Sequence, residues 1–437
     1  MATPSTTVTA FFDLSATGGD FLTLDSTANK GKLDNAAAIL AGDIATDITA
    51  DTMRVSVRRG RDSQLFEDIP AGRASVQLQN RTRTYDPTFD GATFALTDES
   101  GYALTDGSGL ALLDADASSY AQNIRPGKRV SIASAGVSIF DGVIGDWNLE
   151  YDVGGQSLAF AECVDALGQL GRMEFDAWTA TASQTAGPRI TAALDRSEVA
   201  FTSNRSIDTG VSVLQGDSVS WGSNVLNYLQ LVTRSDLGRF YASRTGVVTF
   251  RDRLDPLNVG IAVTFTDDGT GVPFQGIAMS YGSELLYNRV GIDREGGTLQ
   301  TVSNAASQAL YGASSLSETG LLLNSDTQSL DMANYLLGIY DEPELRVAEL
   351  VVELAPLTSA QQVSVLSLDI ASVISVTWTP NGVAPSLSRD CIVEGIAHDI
   401  TPDSHTVTLS LGDADRRSFL QLDDAVFGRL DSNVLAF

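Results

Sequence analysis

A mainly β fold with α+β portions is predicted for this chain, on three observations. Apolar and polar residues alternate over short runs, the period of strands with one buried face. Gly, Pro, Asn and Asp interrupt those runs at short intervals, as turns require. A helical period of apolar residues is confined to a few stretches beyond Val164. At 437 residues the chain exceeds one ordinary core and fits two to four domains, at roughly 100–200 residues each. The hydrophobic content of 43% and charged content of 19% are those of a globular protein, and no apolar run approaches the ~18 residues of a membrane span.

Residues 1–170 form the first β domain, an antiparallel barrel or sandwich. Its strands are read at Met53–Val57, Ala74–Leu78, Arg129–Ile132, Val137–Ile144 and Gln156–Ala161. A β insertion at about 88–119 carries an eight-residue repeat, Ala95 to Tyr102, Ala103 to Leu110, then Ala111 to Asp114. In each unit Asp opens a turn and Gly closes it, so one short strand and one turn recur. The Asp spacing matches neither an EF-hand loop nor a nonapeptide calcium repeat, so a decorating β-arm is expected.

Residues 171–256 read as an α+β domain. Helices are expected at Val164–Leu170 and Arg189–Arg196, and from Ser223 as N-cap through Val225, Leu226, Leu229 and Val232 to near Gly238. A hairpin follows, Arg239–Ala242 and Val247–Arg253 about Thr245-Gly246. Residues 257–412 form a second β-rich domain, with strands at Ile261–Phe265, Asn288–Ile292, Leu345–Leu354, Val373–Trp378, Cys391–Ile396 and Thr406–Leu411. One helix interrupts them, with an apolar stripe of Leu330, Ala333, Leu337 and Tyr340, ending ahead of Pro343. Residues 413–437 are expected to be a strap or docking tail.

With 28 Lys plus Arg against 55 Asp plus Glu, the formal charge of −27 argues against stable nucleic-acid binding, which needs a basic surface. Surface carboxylates that confer solubility explain this charge, and so does the wall of a conduit past which DNA slides without sticking. Met1 to Ala10 is polar and lacks the layout of a secretory signal, so folding in the cytoplasm is expected.

Little in the sequence suggests catalysis or cofactor chemistry. Phosphate-loop, zinc-protease and dinucleotide motifs are absent. Cys163 and Cys391 lie in apolar surroundings and are expected to be buried and free. His398 and His405 share one predicted hairpin and are expected at a strand surface or in its loop, with no third ligand for zinc. Trp147, Trp178, Trp221 and Trp378 are expected in cores or interfaces rather than stacked on sugars. A hydrolase would need two carboxylates that sequence cannot select. No catalytic residue, metal or cofactor is assigned.

The most distinctive string runs from Arg54 to Arg129: Arg58-Arg59-Gly60-Arg61, Ala71-Gly72, Leu78-Gln79-Asn80-Arg81, Tyr85-Asp86-Pro87 and Asn123-Ile124-Arg125-Pro126-Gly127-Lys128-Arg129. Guanidinium groups at strand ends can fork onto carboxylates of an adjacent strand or subunit. The order of this string resembles the N-terminal region of minor tail proteins of long-tailed bacteriophages, the group related to tail-tip and baseplate hub proteins. Two further blocks resemble the same family: Asn224 to Arg253, and Tyr311-Gly312 with Tyr340-Asp341-Glu342-Pro343 and Arg346.

The resemblance implies two tail-tube-like antiparallel β-barrel domains, at 1–170 and 257–412, with smaller mixed domains beside them. It further implies a homotrimeric ring of pseudo-sixfold symmetry, the hub that joins a sixfold tail tube to a threefold tip around a channel for DNA. Expected partners are further copies of the chain, a distal tail protein, a tape measure protein and tip or fibre proteins, in the virion at the tail tip. Arg58, Arg59, Arg61, Arg81, Arg125, Lys128 and Arg129 are then the candidate inter-strand or inter-subunit residues. The chain departs from longer hub proteins in having no recognisable lysin, peptidase or fibre segment, and the octad insertion is not part of the shared pattern. The alternatives are a multi-domain β carbohydrate-binding or adhesive module, and a distal tail ring protein with six copies.

Overall fold

The computed structural model describes residues 2–13, 20–21, 38–39, 43–62, 67–89, 123–152, 157–201 and 204–414. The octad repeat Ala95–Asp114, the insertion from residue 90 onward and the tail from residue 415 lie outside the described residues.

Among the described residues, thirteen strands hydrogen-bond into one sheet. In chain order they are β1 (Thr6–Asp13), β2 (Asp43–Asp47), β3 (Thr52–Gly60), β4 (Arg73–Gln79), β5 (Arg129–Ser134), β6 (Val137–Tyr151) and β7 (Ser157–Val164) in the N-terminal lobe. The C-terminal lobe holds β8 (Ile261–Thr266), β9 (Gly276–Ser280), β10 (Arg346–Glu353), β11 (Val373–Trp378), β12 (Leu387–Ile400) and β13 (His405–Asp413). The strands expected in the two β regions fall within or overlap these, apart from Asn288–Ile292, which belongs to a separate small sheet, and the expected hairpin of Arg239–Ala242 and Val247–Arg253 forms part of another.

The two lobes repeat one topology. The N-terminal order is β3-β4-β7-β6-β5-β1, with β2 added outside β1; the C-terminal order is β9-β10-β13-β12-β11-β8. Counted along its own chain, each lobe therefore places its six strands second, third, sixth, fifth, fourth, first. All corresponding pairs are antiparallel except the last, where β1 runs antiparallel to β5 but β8 runs parallel to β11. The repetition extends to an irregularity. The β6–β7 ladder shifts register at Gly145, six residues before Tyr151, and the β12–β13 ladder shifts at Glu394, six residues before Ile400.

Alternation explains why these segments are strands. In β4, Ala74, Val76 and Leu78 are buried while Arg73 and Gln79 are exposed. Their partners on β7 are Cys163, Ala161 and Ala159, so larger side chains lie opposite smaller ones. Each fully buried Leu or Ile contributes about 1.5–3 kcal/mol. The inward faces of both lobes merge in one apolar cluster, with Val8, Phe12, Val76, Ile132 and Phe140 from the first and Phe265, Leu350, Val376, Val393 and Leu409 from the second.

The lobes join where β12 pairs with β3, from Gly395 opposite Gly60 to Ile400 opposite Val55. At that crossing the backbones nearly touch. Gly60 has φ +89°, and a Cβ on it would lie 2.2 Å from the Glu394 carbonyl oxygen. Only glycine fits such a conformation and approach.

Between the lobes sits an α+β unit with its own core, built from the helices Ala166–Leu170, Ala186–Leu194 and Val225–Asp236 and the three-stranded sheet of Arg205–Ile207, Val248–Arg251 and Arg239–Ala242. The long helix begins one residue later than expected. Asn224, not Ser223, has the extended backbone of an N-cap, and its side chain accepts from the Asn227 N–H at 3.0 Å. A second small unit is inserted between β9 and β10, with a three-stranded sheet about Arg289–Arg294 and the helix Asp326–Tyr340. That helix is the one expected in the second β region, which also holds Ala305–Tyr311 and Ser359–Leu366. Its buried face is Ser329, Met332, Ala333, Leu336 and Tyr340, and Leu330 is exposed. The expected row shares Ala333 and Tyr340 with this one. Periodicity cannot choose between adjacent rows, and packing against Val290, Ile292, Leu321 and Leu323 decides.

Placing a side chain at the crossing tests the joint. Gly60→Ala should lower stability by about 1–3 kcal/mol, read as a reduced urea midpoint, whereas Gly136→Ala, at a turn with open space around it, should cost less.

Candidate functional site

Strand β3 carries its period of two into its last residues. Val55 and Val57 face inward, and in the same phase Arg59 and Arg61 carry their charges into the interior, while Arg54, Ser56 and Arg58 face outward. Arg61 meets Glu394, the residue extruded by the β12 bulge. The Arg61 Nε donates to Glu394 Oε2 at 2.9 Å. On the other oxygen, Oε1, Arg239 of the α+β unit donates through Nε at 3.1 Å and Nη2 at 2.7 Å. The carboxylate is fully buried. Burial pushes its pKa up, but Arg239 and then Arg61 outweigh that, and the group is held below its ordinary value.

A second contact runs beside it. Arg59, also buried, donates from Nη1 to Asp369 Oδ1 at 2.6 Å and approaches the Ala242 carbonyl at 3.4 Å. Asp369 Oδ2 accepts the Arg244 N–H at 2.9 Å. Both contacts therefore tie together the same three bodies: the N-terminal lobe, the α+β unit and the C-terminal lobe. At the solvent end of the joint, Arg54 forks onto Asp399 at 3.0 and 2.8 Å.

The remaining candidates lie apart from this node. Arg58 is exposed and pairs with Asp62, a surface pair of little energetic weight. Arg129 forks onto Asp141 at 3.1 and 2.8 Å, with its guanidinium 4.5 Å above the Phe11 ring. Lys128 is buried, and Arg81 and Arg125 are exposed. Sequence reasoning missed Glu394, Asp369, Arg239 and Arg54. For Glu394 a signal was present: it is the only charge in Cys391-Ile392-Val393-Glu394-Gly395-Ile396. The phase of Arg59 and Arg61 with Val55 and Val57 was another.

The histidines correct an expectation. They are not at a strand surface or in a loop: both are buried, with His398 Nδ1 3.1 Å from His405 Nε2 and His405 Nδ1 3.2 Å from the Ser134 hydroxyl of the other lobe. The inward phase of β12 and the start of β13 carries them in, and one ring N–H donates to the next ring's lone pair. Burial pushes both down, His405 to about 4 and His398 well below its ordinary value, so both are neutral at pH 7. Cys163 and Cys391 are buried and free. Trp378 is buried, Trp147 and Trp178 are half-buried, and Trp147 stacks on Tyr85 with ring centroids 6.1 Å apart. Trp221 departs from expectation, being 75% exposed. Among the described residues no group of three or more His, Cys, Asp or Glu could hold a metal ion, and no helix is long and apolar enough to cross a membrane.

No protein-family model and no curated protein sequence matches the chain. Solved structures do. The 43 kDa tail protein of prophage MuSo2 from Shewanella oneidensis superposes with a TM-score of 0.55 at 11% identity, over 94% of this chain and 99% of that one. A tail protein from Neisseria meningitidis MC58 superposes with a TM-score of 0.56 at 10% identity, over 93% and 96%. The chain has the fold of phage tail proteins, mainly β with α+β portions.

Removing the central carboxylate takes the shared anionic partner from two largely buried guanidinium groups. Glu394→Ala should cost about 3–5 kcal/mol, and combining it with Arg61→Met and Arg239→Met should recover part of that loss in a chemical denaturation series. The imidazoles offer a second check. Their contribution to stability is present above the unfolded value of about 6.5 and is lost as pH falls toward their folded values. Asp165 and Asp236, both raised to about 6 by burial, act in the opposite sense between about 4 and 6, while Glu394, held low by its guanidinium partners, acts in the same sense as the imidazoles, so a net stability curve does not isolate the histidines. The imidazoles are therefore best followed directly by NMR: the His405 signal should titrate with a midpoint at about 4, and neither ring near 6.5.

Proposed function

We propose that this protein is a structural component of a phage tail, forming the hub at its distal end, where a ring of three copies joins a sixfold tail tube to a threefold tip. The observation that carries this reading is the repeated six-strand topology. A chain that holds two like lobes, joined through a strand pair, offers six lobes from three copies. Such a ring matches a sixfold surface on one side while keeping threefold symmetry for what lies beyond. The overall likeness to tail proteins supports the same assignment.

The domain division that goes with it is 1–170 and 257–412 as tube-like barrels, 171–256 as the α+β domain, and 413–437 as a docking tail. Partners are the other copies of the chain, a distal tail protein above, and tape measure, tip or fibre proteins. The role is mechanical rather than catalytic, in the virion at the tail tip. The formal charge of −27 suits a lumen through which DNA passes without being held. Arg59 and Arg61 are turned into the interior of the chain, and the exposure of Arg58, Arg81 and Arg125 makes these three the better candidates for contacts between chains.

One observation favours a second reading, a carbohydrate-binding module: Trp221 presents an exposed ring in the turn ahead of Val225–Asp236. Light scattering with negative-stain averaging separates the readings. The hub predicts the mass of three chains and a ring with a central opening. Six copies would indicate a distal tail ring protein instead, and a monomer whose Trp221 fluorescence responds to oligosaccharides would favour sugar binding.

A further inference from the structure

The joint inside the chain has a counterpart that no strand pairing fills among the described residues. Along one edge, β12 pairs first with β11, from Leu387 to Ile392, and then, past the bulge at Glu394, with β3, from Gly395 to Ile400. The corresponding strand of the other lobe is β6. Along the same edge it pairs with β5 from Val137 to Val143, and past its own bulge at Gly145 the segment Asp146 to Tyr151 has no strand partner on that edge among the described residues. The counterpart of β3 is β9. Its neighbour is β10, and its other edge is the open end of the sheet among the described residues. One lobe-to-lobe pairing is thus satisfied within the chain, and the two halves of its equivalent are left exposed at opposite positions. Both open segments meet solvent: Asp146, Asn148, Glu150 and Tyr151 on β6, and Ala278 and Met279 on β9.

We propose that the Asp146–Tyr151 edge of β6 pairs antiparallel with the Gly276–Ser280 edge of β9 in a second copy of this chain. The pairing is head-to-tail, since the two edges differ, so its repetition builds a ring when the rotation closes. Two backbone edges presented at positions where the chain already pairs their counterparts are what strand addition needs.

The register follows from the ladders. Asp399 corresponds to Glu150, each five residues beyond its bulge, and Asp399 faces Ser56. Ser56 lies opposite Ser75 on β4, Ser75 opposite Glu162 on β7, and Glu162 opposite Asp146 at the bulge. In the C-terminal lobe the same path runs from Gly395 to Ser410, from Ser410 to Glu349, and from Glu349 to Ala278. Ala278 is therefore the counterpart of Ser56, and Glu150 of one copy faces Ala278 of the next, with Tyr151 facing Ile277. One difference separates the two joints. The bulge residue is Glu394 inside the chain but Gly145 at the open edge, so the contact between copies has no buried carboxylate to hold it and rests on strand pairing.

This inference rests on the ring reading of the proposed function, and a crosslinking experiment separates the two. Glu150 and Ala278 are exposed, so Glu150→Cys and Ala278→Cys should each leave the fold intact, checked by unchanged melting. The native thiols are buried and weakly acidic, Cys391 pushed up to about 12 and Cys163 higher still, and give little background. Directly opposed Cβ atoms lie about 4.5–5.5 Å apart, within reach of a disulfide or a short bis-maleimide. The two variants, co-expressed with different tags, should yield covalent dimers containing one of each, and neither variant alone should. The double variant should give a covalently closed trimer on denaturing gels. Trimers without the mixed crosslink would overturn the edge pairing and leave the hub reading standing. The mixed crosslink in an assembly that is not threefold would uphold the pairing and overturn the hub. Self-crosslinking of either single variant would indicate a twofold contact and overturn the pairing, and a monomer at all concentrations would overturn both.

Discussion

The arrangement of the three bodies of this chain depends on one buried carboxylate. Glu394 takes a guanidinium from the N-terminal lobe and another from the α+β unit, and it belongs to the C-terminal lobe itself. Burying such a group is costly unless its lone pairs are filled. Here they are filled from both sides, so the carboxylate stays charged and the geometry is narrowly set: moving any one body would strip at least one charged partner from the node. The parallel contact of Arg59 with Asp369 imposes the same condition a second time. The gain is in specificity of arrangement more than in net stability, because buried ion pairs roughly balance their own desolvation.

A bulge makes the node possible. An unbroken strand would alternate its side chains and keep the backbone pairing with β13 regular; the extra residue at 394 kinks β12, turns a carboxylate into the joint and frees the edge beyond it to take β3. Gly60 and Gly395 then let the two backbones approach more closely than any side chain would permit. The same bulge recurs at Gly145 in the first lobe. Its recurrence in a corresponding strand indicates that the kink belongs to the architecture of the lobe, while the charge was placed in only one of the two copies.

The buried histidines fit this picture. They bridge the β12–β13 hairpin to Ser134 of the first lobe, so the junction is polar in a second place and its rings satisfy one another without a proton from solvent. Polar groups are thus used at the joint between lobes, and apolar alternation inside each lobe.

What the sequence by itself determined is the local order: which segments are strands, where turns fall, that the cysteines are buried, and that the Val225 helix precedes a hairpin. These follow from periods of two and 3.6 and from the limits that Gly and Pro place on the backbone, all of which act within a few residues. The phase of Arg59 and Arg61 with Val55 and Val57, and the solitary charge of Glu394, were legible in the same way, although their partners were not. Only the tertiary structure decided which of 55 acids meets which arginine, that both histidines turn inward, which row of the Asp326–Tyr340 helix is buried, and that the lobes share one sheet. The physical reason is separation along the chain. Arg61 and Glu394 are 333 residues apart, and a contact of that kind is set by how strands are ordered in a sheet, which no local period encodes.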